Sequence, residues 1–180
     1  GESFRDTLLT LSYMGTDAIV MRSSAEGAPL YATKAVDPII INAGDGAHEH
    51  PTQALLDMFS LIERKGSLEG KKVVIVGDIM HSRVARSDVY GLTKMGADVH
   101  LAGPRTMLYP ELEKMGVTIH HDEREAVKDA DVVNVLRIQL ERIHSALYPT
   151  NREYARIFGI NKDVLSLAKV DVMVMHPVPM

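Results

Sequence analysis

The chain has 180 residues, of which 46% are hydrophobic and 24% are charged, and its net charge is −4 at pH 7. This composition is ordinary for a folded protein with a sizeable core, and the negative charge gives no electrostatic reason to expect nucleic acid or an anionic membrane as a partner. The absence of cysteine excludes disulfides, thiol chemistry and cysteine-ligated metal sites.

No apolar run approaches the roughly 18 residues of a membrane span, and no signal peptide is recognisable. The chain also contains no internal repeats and no low-complexity segments. We therefore expect a cytoplasmic protein with no membrane segment.

The first third of the chain alternates helical and extended patterns. Helices are predicted at 4–14, 29–35 and 51–64, and strands at 17–21 and 38–41, the first of them buried. In the last helix we expect the apolar side chains to be buried, namely those of Leu55, Leu56, Phe59 and Ile62. This order of elements predicts a parallel sheet with helices on its faces.

A glycine-containing stretch after the third helix marks a domain boundary, which divides the chain into residues 1–66 and 67–180. Strands follow at 73–76, 98–102, 117–119, 131–136 and 171–175. One helix after the first of these strands ends near residue 95, and further helices lie at 110–115, 123–128, 151–158 and 162–168. The continuous apolar run of the first of these strands is typical of a strand covered on both faces. We therefore predict an α/β fold with two parallel-sheet, three-layer domains.

The segment NAGDGAHEHPTQALLD, residues 42–57, combines a turn-rich run with the start of a helix. Proline at the first helical position makes His50 the N-cap residue and puts Gln53 in the first turn. Unpaired N–H groups and the helix dipole make such a helix start a candidate anion site. The alternative is a buried helix start with a capping histidine.

Three arginines follow three different predicted strands. Arg22 and Arg83 come after the strands at 17–21 and 73–76, and Arg137 follows the strand at 131–136, where strand alternation would put Gln139 on the same side. Ligands of open α/β sheets bind beyond the carboxyl ends of strands, and arginine binds carboxylate and phosphate bidentately. The pattern predicts a site for a small, multiply anionic substrate, although Arg22 alone is equally compatible with a solvated surface arginine. The glycine-rich signatures of dinucleotide and ATP sites are absent.

Four motifs together resemble the aspartate carbamoyltransferase family: GDGAHEHPTQALLD, GDIMHSRVARS, LRIQLER and the closing HPVPM. They cover the chain in the order and spacing of that family's catalytic chain. Ornithine carbamoyltransferases share the fold and a similar HPTQ segment, but are expected to carry a cysteine near the end and a Ser-Met-Gly motif, which this chain lacks.

The resemblance implies that the first domain binds carbamoyl phosphate. Arg22, His50 and Gln53 would be the catalytic residues that hold it, the first two at the carbonyl oxygen and Gln53 at the carbamoyl nitrogen. We expect His50 to act as a neutral N–H donor, because the positive end of a helix disfavours imidazolium. Attack by the aspartate amine would then proceed by orientation and oxyanion stabilisation, without a covalent intermediate, metal or cofactor.

The resemblance also implies that the second domain binds L-aspartate. Arg83 and Arg137 would hold its carboxylates, with Gln139 assisting. Pro177 and Val178 would present backbone carbonyls to the carbamoyl and amino nitrogens. Two carboxylates suit the arginines, whereas the cationic side chain of ornithine, the alternative acceptor, would be poorly served.

The family further implies a homotrimer with shared active sites, with regulatory chains or dihydroorotase as further partners, in pyrimidine biosynthesis. Its Ser-Thr-Arg-Thr phosphate loop, an adjacent loop lysine and a C-terminal helix have no counterpart here, so we expect a fragment of a longer catalytic chain that does not turn over alone. Smaller departures are Ser23, Asp88 in place of the usual Asn, and Val178.

Two other classes of function remain open from the residues. His48, His50 and the pair His120-His121 raise the possibility of a metallohydrolase, although no HExxH motif is present. A truncated chain with an intact second domain could instead be a non-catalytic binding or assembly module. Retained binding of an aspartate analogue without carbamoyl transfer would favour that module.

Overall fold

The computed structural model describes residues 1–138 and 150–177, and the part before residue 66 contains a two-stranded parallel sheet. Its strands pair from Ala18 opposite Ile39 to Met21 opposite Asn42, and a bulge then brings Ser23 opposite Asp45. We call this part the N-terminal unit. Its elements are α1 (Phe4–Tyr13), β1 (Ala18–Ser23), α2 (Ala28–Ala35), β2 (Ile39–Asp45) and α3 (Pro51–Lys65).

The remaining described residues form the C-terminal unit, a five-stranded parallel sheet in the order β5-β4-β3-β6-β7. Its strands are β3 (Lys72–Val76), β4 (Asp98–Ala102), β5 (Thr118–His120), β6 (Val132–Val135) and β7 (Met173–Met175). Its α-helices are α4 (Arg83–Lys94), α5 (Glu123–Val127), α6 (Asn151–Phe158) and α7 (Lys162–Leu165). The chain winds from β3 to one edge and then returns to the other side, so the topological switch point lies between β3 and β6.

Strand β3 shows why this sheet has helices on both faces. Val73 and Ile75 pack with Val89 and Leu92 of α4, whereas the alternate side chains pack with α5 and α7. All four apolar side chains of β3 from Val73 on are at most 1% exposed. The α/β class with parallel sheets is therefore confirmed.

The N-terminal unit has one covered and one uncovered sheet face. Leu8 of α1 and Ala32 of α2 pack with Ile19, while Val20 and Ile39 are 67% and 69% exposed on the other side. The first strand, predicted to be buried, is buried on one face only, since its burial alternates residue by residue.

Helix α3 also buries a different face from the one predicted. Its buried residues are Ala54, Asp57 and Leu61. The side chains predicted to be buried are instead 41–63% exposed, namely those of Leu55, Leu56, Phe59 and Ile62. Helix α3 packs against α4, and within the described ranges no element covers the leucine-rich face.

Element ends account for the remaining differences from the prediction. Strand β2 runs on to Asp45, because pairing with β1 resumes there after the bulge. The helix predicted at 110–115 is a 3-10 helix, Pro110–Met115, and a further 3-10 turn lies at Arg105–Met107. Among the helices that the structure describes, none combines the length and apolar character needed to cross a membrane.

The two units are tied together along α3. At its beginning, the backbone N–H of His50 donates to Ser87 Oγ of α4 at 2.9 Å. At its end, Lys65 Nζ donates to the carboxylate of Asp171, just before β7, at 2.8 Å. Contacts at both ends hold α3 against the C-terminal unit.

Asp131 joins the segments that lead into three neighbouring strands. It is 3% exposed and accepts hydrogen bonds from Lys169 Nζ at 2.8 and 2.9 Å and from the backbone N–H of Lys72 at 3.0 Å. Burial alone would raise the pKa of Asp131, but the hydrogen bonds from Lys169 and Lys72 outweigh it and lower the pKa.

We expect Asp131→Asn to lower the free energy of unfolding at pH 7 by about 1–3 kcal/mol, because charged hydrogen bonds are lost. A lowered folded pKa gives stability that is present above the unfolded value of about 3.9 and lost as the pH falls through the folded value. In urea unfolding from pH 7 downward, the difference from the wild type should therefore shrink below about pH 4. Asp17→Asn, at an exposed position, is the control, and a pH-independent difference would contradict this role.

Candidate functional site

A cavity of about 520 Å³ lies where the N-terminal unit meets the loop after β3. It is bounded by the end of β1, the loop between β2 and α3, and the beginning of α4. Its lining residues are Arg22, Ser23, Ser24, Glu26, Gly46, Ala47, His81 and Arg83. Two of the three predicted arginines therefore share one cavity, which Glu26 also lines.

The Gly-Asp-Gly loop forms one wall because Asp45 fixes it against β1 and α2. The buried carboxylate of Asp45 accepts from the backbone N–H of Gly27 at 2.8 Å and contacts His48 Nδ1 at 3.0 Å. The N–H of Gly46 donates to the carbonyl of Ser23 at 2.8 Å. These bonds hold the loop beside Arg22, which is exposed at the end of β1.

Arg83 crosses from the C-terminal unit to this loop. Its side chain is buried, and Nη1 donates to the carbonyl of Gly46 at 3.1 Å. The guanidinium lies so close to Gly44 that a Cβ there would come within 2.8 Å of Cζ, and the φ of +134° at Gly44 disfavours any other residue. Glycine at position 44 therefore makes room for the arginine.

His81 is a cavity residue to which the sequence analysis assigned no role. Asp78, fully buried at the end of β3, accepts from the backbone N–H of His81 at 3.2 Å and contacts its Nδ1 at 2.8 Å. The carboxylate thus fixes the imidazole on the cavity wall. The signal in the sequence was an aspartate at a strand end three residues before a histidine.

His50 is the N-cap residue of α3, as predicted, but its side chain makes no capping hydrogen bond. Its Nδ1 lies 3.3 Å from Thr52 Oγ1, so the capping alternative is wrong. Burial lowers the pKa of His50, and the positive charges of Arg83 and Arg22 lower it further. The imidazole is therefore neutral at pH 7, with burial and the two arginines as the causes.

The start of α3 has fewer unpaired donors than the sequence suggested. The N–H groups of Gln53 and Ala54 both donate to the carbonyl of His50, at 3.1 and 3.2 Å. The side-chain Nε2 of Gln53 donates to Asp57 Oδ1 at 2.9 Å. His50 and Gln53 lie at the first turn of α3 rather than in the cavity wall.

Two further predicted residues, Arg137 and Pro177, follow strands of the five-stranded sheet at its carboxyl edge. Arg137 is exposed two residues beyond β6, and Pro177 lies two residues beyond β7. Because β6 ends at Val135, strand alternation does not reach Arg137, and that reason for pairing it with Gln139 is wrong. Gln139 and Val178 lie outside the described residues.

Two of the histidines considered as metal ligands, His48 and His120, have other partners. His48 contacts Asp45, and His120 stacks on His100 with their ring nitrogens 2.8 Å apart. Within residues 1–138 and 150–177, no group of three or more His, Cys, Asp or Glu side chains is arranged to hold a metal ion. The metallohydrolase alternative therefore finds no ligand set in this part of the chain.

Two family models match the chain in succession. "Aspartate/ornithine carbamoyltransferase, carbamoyl-P binding domain" matches residues 1–63, and "Aspartate/ornithine carbamoyltransferase, Asp/Orn binding domain" matches residues 69–180.

Curated relatives include the aspartate carbamoyltransferase catalytic subunits of Desulforamulus reducens and Pelotomaculum thermopropionicum. They are 58% and 59% identical over 180 residues. The alignment covers all of this chain but only 58% of each relative, so the chain spans less than two thirds of their length.

Solved structures of an aspartate and of an ornithine carbamoyltransferase are both similar to this chain. Aspartate transcarbamoylase from Trypanosoma cruzi in complex with carbamoyl phosphate gives a TM-score of 0.85 at 31% identity, covering 99% of this chain and 60% of that one. Ornithine carbamoyltransferase from Pyrococcus furiosus gives 0.82 at 33% identity, covering 100% and 59%.

The effect of the Arg22 charge on the pKa of His50 can be tested without any substrate. We expect an NMR titration to give His50 a pKa below the ordinary value of about 6.5, and Arg22→Gln to raise it because one nearby positive charge is lost. Arg5→Gln on exposed α1 is the control and should leave the titration unchanged. Equal titration curves for wild type and Arg22→Gln would contradict this electrostatic contact.

Proposed function

Because this chain belongs to the aspartate/ornithine carbamoyltransferase family, we propose that it transfers the carbamoyl group of carbamoyl phosphate to the amino group of L-aspartate. The products are N-carbamoyl-L-aspartate and phosphate, a step of pyrimidine biosynthesis. The observation that carries the proposal is the cavity lined by Arg22 and Arg83, from separate units, whose charges also lower the pKa of His50 at the start of α3.

Aspartate is favoured over ornithine as the acceptor. The fold does not discriminate between them, since structures of both enzymes are similar to this chain. The relatives at 58–59% identity are named aspartate carbamoyltransferases, and Arg83 and Arg137, the proposed ligands of the acceptor, favour a second carboxylate over a cationic side chain.

In the proposed site, Arg22 and His50 donate to the carbonyl oxygen of carbamoyl phosphate, and Gln53 contacts the carbamoyl nitrogen. A lowered pKa keeps His50 neutral at pH 7, so its N–H can donate without placing a third charge beside two arginines. As the amine attacks the carbonyl carbon, these donors stabilise the developing oxyanion while phosphate leaves.

Arg83 and Arg137 are the proposed ligands of the aspartate carboxylates, with Gln139 assisting. Arg83 is already oriented by its bond to Gly46, so little side-chain freedom is lost on binding. Backbone carbonyls of Pro177 and Val178 are the proposed acceptors for the carbamoyl and amino nitrogens.

The proposed assembly follows the family as well. We assign residues 1–66 to a carbamoyl-phosphate-binding domain and 67–180 to an aspartate-binding domain of a cytoplasmic enzyme. A homotrimer would share active sites between neighbours, with regulatory chains or dihydroorotase as further partners. Sedimentation of the complete gene product would measure the trimer directly.

The decisive assay follows carbamoyl transfer by the complete gene product, with aspartate or ornithine as the acceptor. We expect the wild type to form carbamoyl aspartate. His50→Ala should lower kcat about 10²–10³-fold, because an oxyanion donor is lost. Arg137→Ala should raise the KM for aspartate. Arg5→Ala is the control. Transfer to ornithine that is unaffected by Arg137→Ala would overturn the assignment, and the rate of the 180-residue chain alone tests the non-catalytic alternative.

A further inference from the structure

A row of four polar side chains, three of them buried, runs from the half-buried Gln53 in the first turn of α3 into the five-stranded sheet. Gln53 and Asp57 lie on α3, Asp88 lies on the facing helix α4, and Asn134 lies in the middle of β6. Asp57, Asp88 and Asn134 are only 6%, 1% and 3% exposed. The row therefore connects the N-terminal unit with the centre of the C-terminal unit, and its three members beyond Gln53 are shielded from bulk water.

Each carboxyl of this row accepts one hydrogen bond from a neutral amide. Gln53 Nε2 donates to Asp57 Oδ1 at 2.9 Å, and Asn134 Nδ2 donates to Asp88 Oδ2 at 3.0 Å. The other oxygen of each carboxyl, Asp57 Oδ2 and Asp88 Oδ1, is buried and has no amide or hydroxyl donor in the described residues. Helices α3 and α4 pack against each other, and each of the two carboxyl groups affects the pKa of the other.

One proton shared by the two carboxyl groups would give both of these buried oxygens a partner. With none, two like charges would be in contact away from water, which is costly. With two, the second proton would have to compete with the amide N–H of Gln53 or Asn134 for an oxygen. The hydrogen bonds from the two side-chain amides therefore leave room for a single proton on the carboxyl pair.

We propose that Asp57 and Asp88 share one proton across the α3–α4 contact and that this pair is a positioning device for Gln53. Because Asp57 Oδ1 accepts a hydrogen bond, it selects the orientation of the Gln53 side-chain amide in which Nε2 points toward Asp57, one turn further along α3. Gln53 Oε1 is then presented as the acceptor for the N–H groups of a substrate. Gln53 is the residue that touches the substrate, and Asp57 and Asp88 act through it.

This inference rests on the proposed function, because the nitrogen that Gln53 accepts from belongs to the carbamoyl group. An acceptor that has been fixed in advance discriminates between a carbamoyl and an acetyl group, since the methyl group of an acetyl phosphate offers no N–H. The residue pair would therefore contribute to choosing the donor substrate.

The environment of the pair sets the direction of its pH response. Burial raises the pKa of Asp88 well above its usual range, with the Asp57 charge adding to the rise, and burial also raises the pKa of Asp57. The groups that face the pair are the two carboxyls, from α3 and α4, and the neutral amides of Gln53 and Asn134, from α3 and β6. As the pH rises, loss of the shared proton leaves two charges that repel each other, and the anchor of Gln53 is lost.

The first test detects the proton itself by infrared spectroscopy of the complete gene product at neutral pH. We expect the C=O stretch of a protonated carboxylic acid in the wild type. It should be missing in Asp88→Asn, in which the side-chain amide supplies the donor without a titratable proton, and unchanged in the surface control Asp17→Asn. Wild-type spectra without this band, or with a band that survives Asp88→Asn, would overturn the shared proton.

The second test uses stability, which needs no substrate. A raised folded pKa means that stability is lost as the pH rises from the unfolded value of about 3.9 through the folded value. The free energy of unfolding of Asp88→Asn, relative to the wild type, should therefore grow across this window and then level off. A difference that does not change with pH would overturn the proposal.

The third test addresses positioning. Asp57→Ala should shift the side-chain amide resonances of Gln53 and lower kcat/KM for carbamoyl phosphate about tenfold, the loss of one good hydrogen bond. In Asp88→Asn, the Gln53 resonances and kcat/KM should stay near their wild-type values at neutral pH. The fall in activity that we expect for the wild type at alkaline pH should be absent from this variant. Unchanged Gln53 resonances in Asp57→Ala would overturn the positioning role.

The third test also separates this inference from the proposed function. A gene product that transfers no carbamoyl group would contradict the proposed function, whereas the infrared band, the stability profile and the Gln53 resonances still decide the inference.

Discussion

The contact between the Arg83 guanidinium and the Gly-Asp-Gly loop is the constraint on which the cavity depends. A buried cation needs an acceptor, because its desolvation is otherwise too costly. The carbonyl of Gly46 supplies one at 3.1 Å, and the missing side chain of Gly44 lets the guanidinium approach. The loop in turn keeps its shape because Asp45 binds the N–H of Gly27. Through this chain of contacts, a helix start in one unit and a strand end in the other form a single cavity.

Features governed by local sequence could be predicted well. The apolar run of β3 indicated a strand buried on both faces, and proline at position 51 marked the beginning of α3, since proline favours the first helical turn. The rule that ligands bind at the carboxyl ends of strands led to Arg22 and Arg83, which line the same cavity.

Features that depend on long-range packing could not be predicted from the sequence. Helical periodicity shows that α3 has an apolar stripe but not which face meets a neighbour, so Leu55 and Leu56 were expected to be buried, whereas the buried Asp57 was overlooked. The pair formed by Asp57 and Asp88 joins residues 31 positions apart in the chain, and no sequence signal indicated that they meet. Asp78 and His81 were overlooked for a different reason, because their contact is local but resembles an ordinary loop.

The two ties at the ends of α3 have a mechanical consequence. His50 is bound to Ser87 at one end and Lys65 to Asp171 at the other, and two fixed points define an axis. A rotation of one unit against the other about this line would leave both ties intact, whereas hinging in any other direction would stretch at least one of them. The bond from Arg83 to Gly46 lies in the loop that precedes α3 and would be strained by such a rotation. Opening and closing of the cavity would therefore be a rolling motion about α3, opposed by the Arg83–Gly46 bond and by the packing of Leu61 with Val89 and Leu92 of α4.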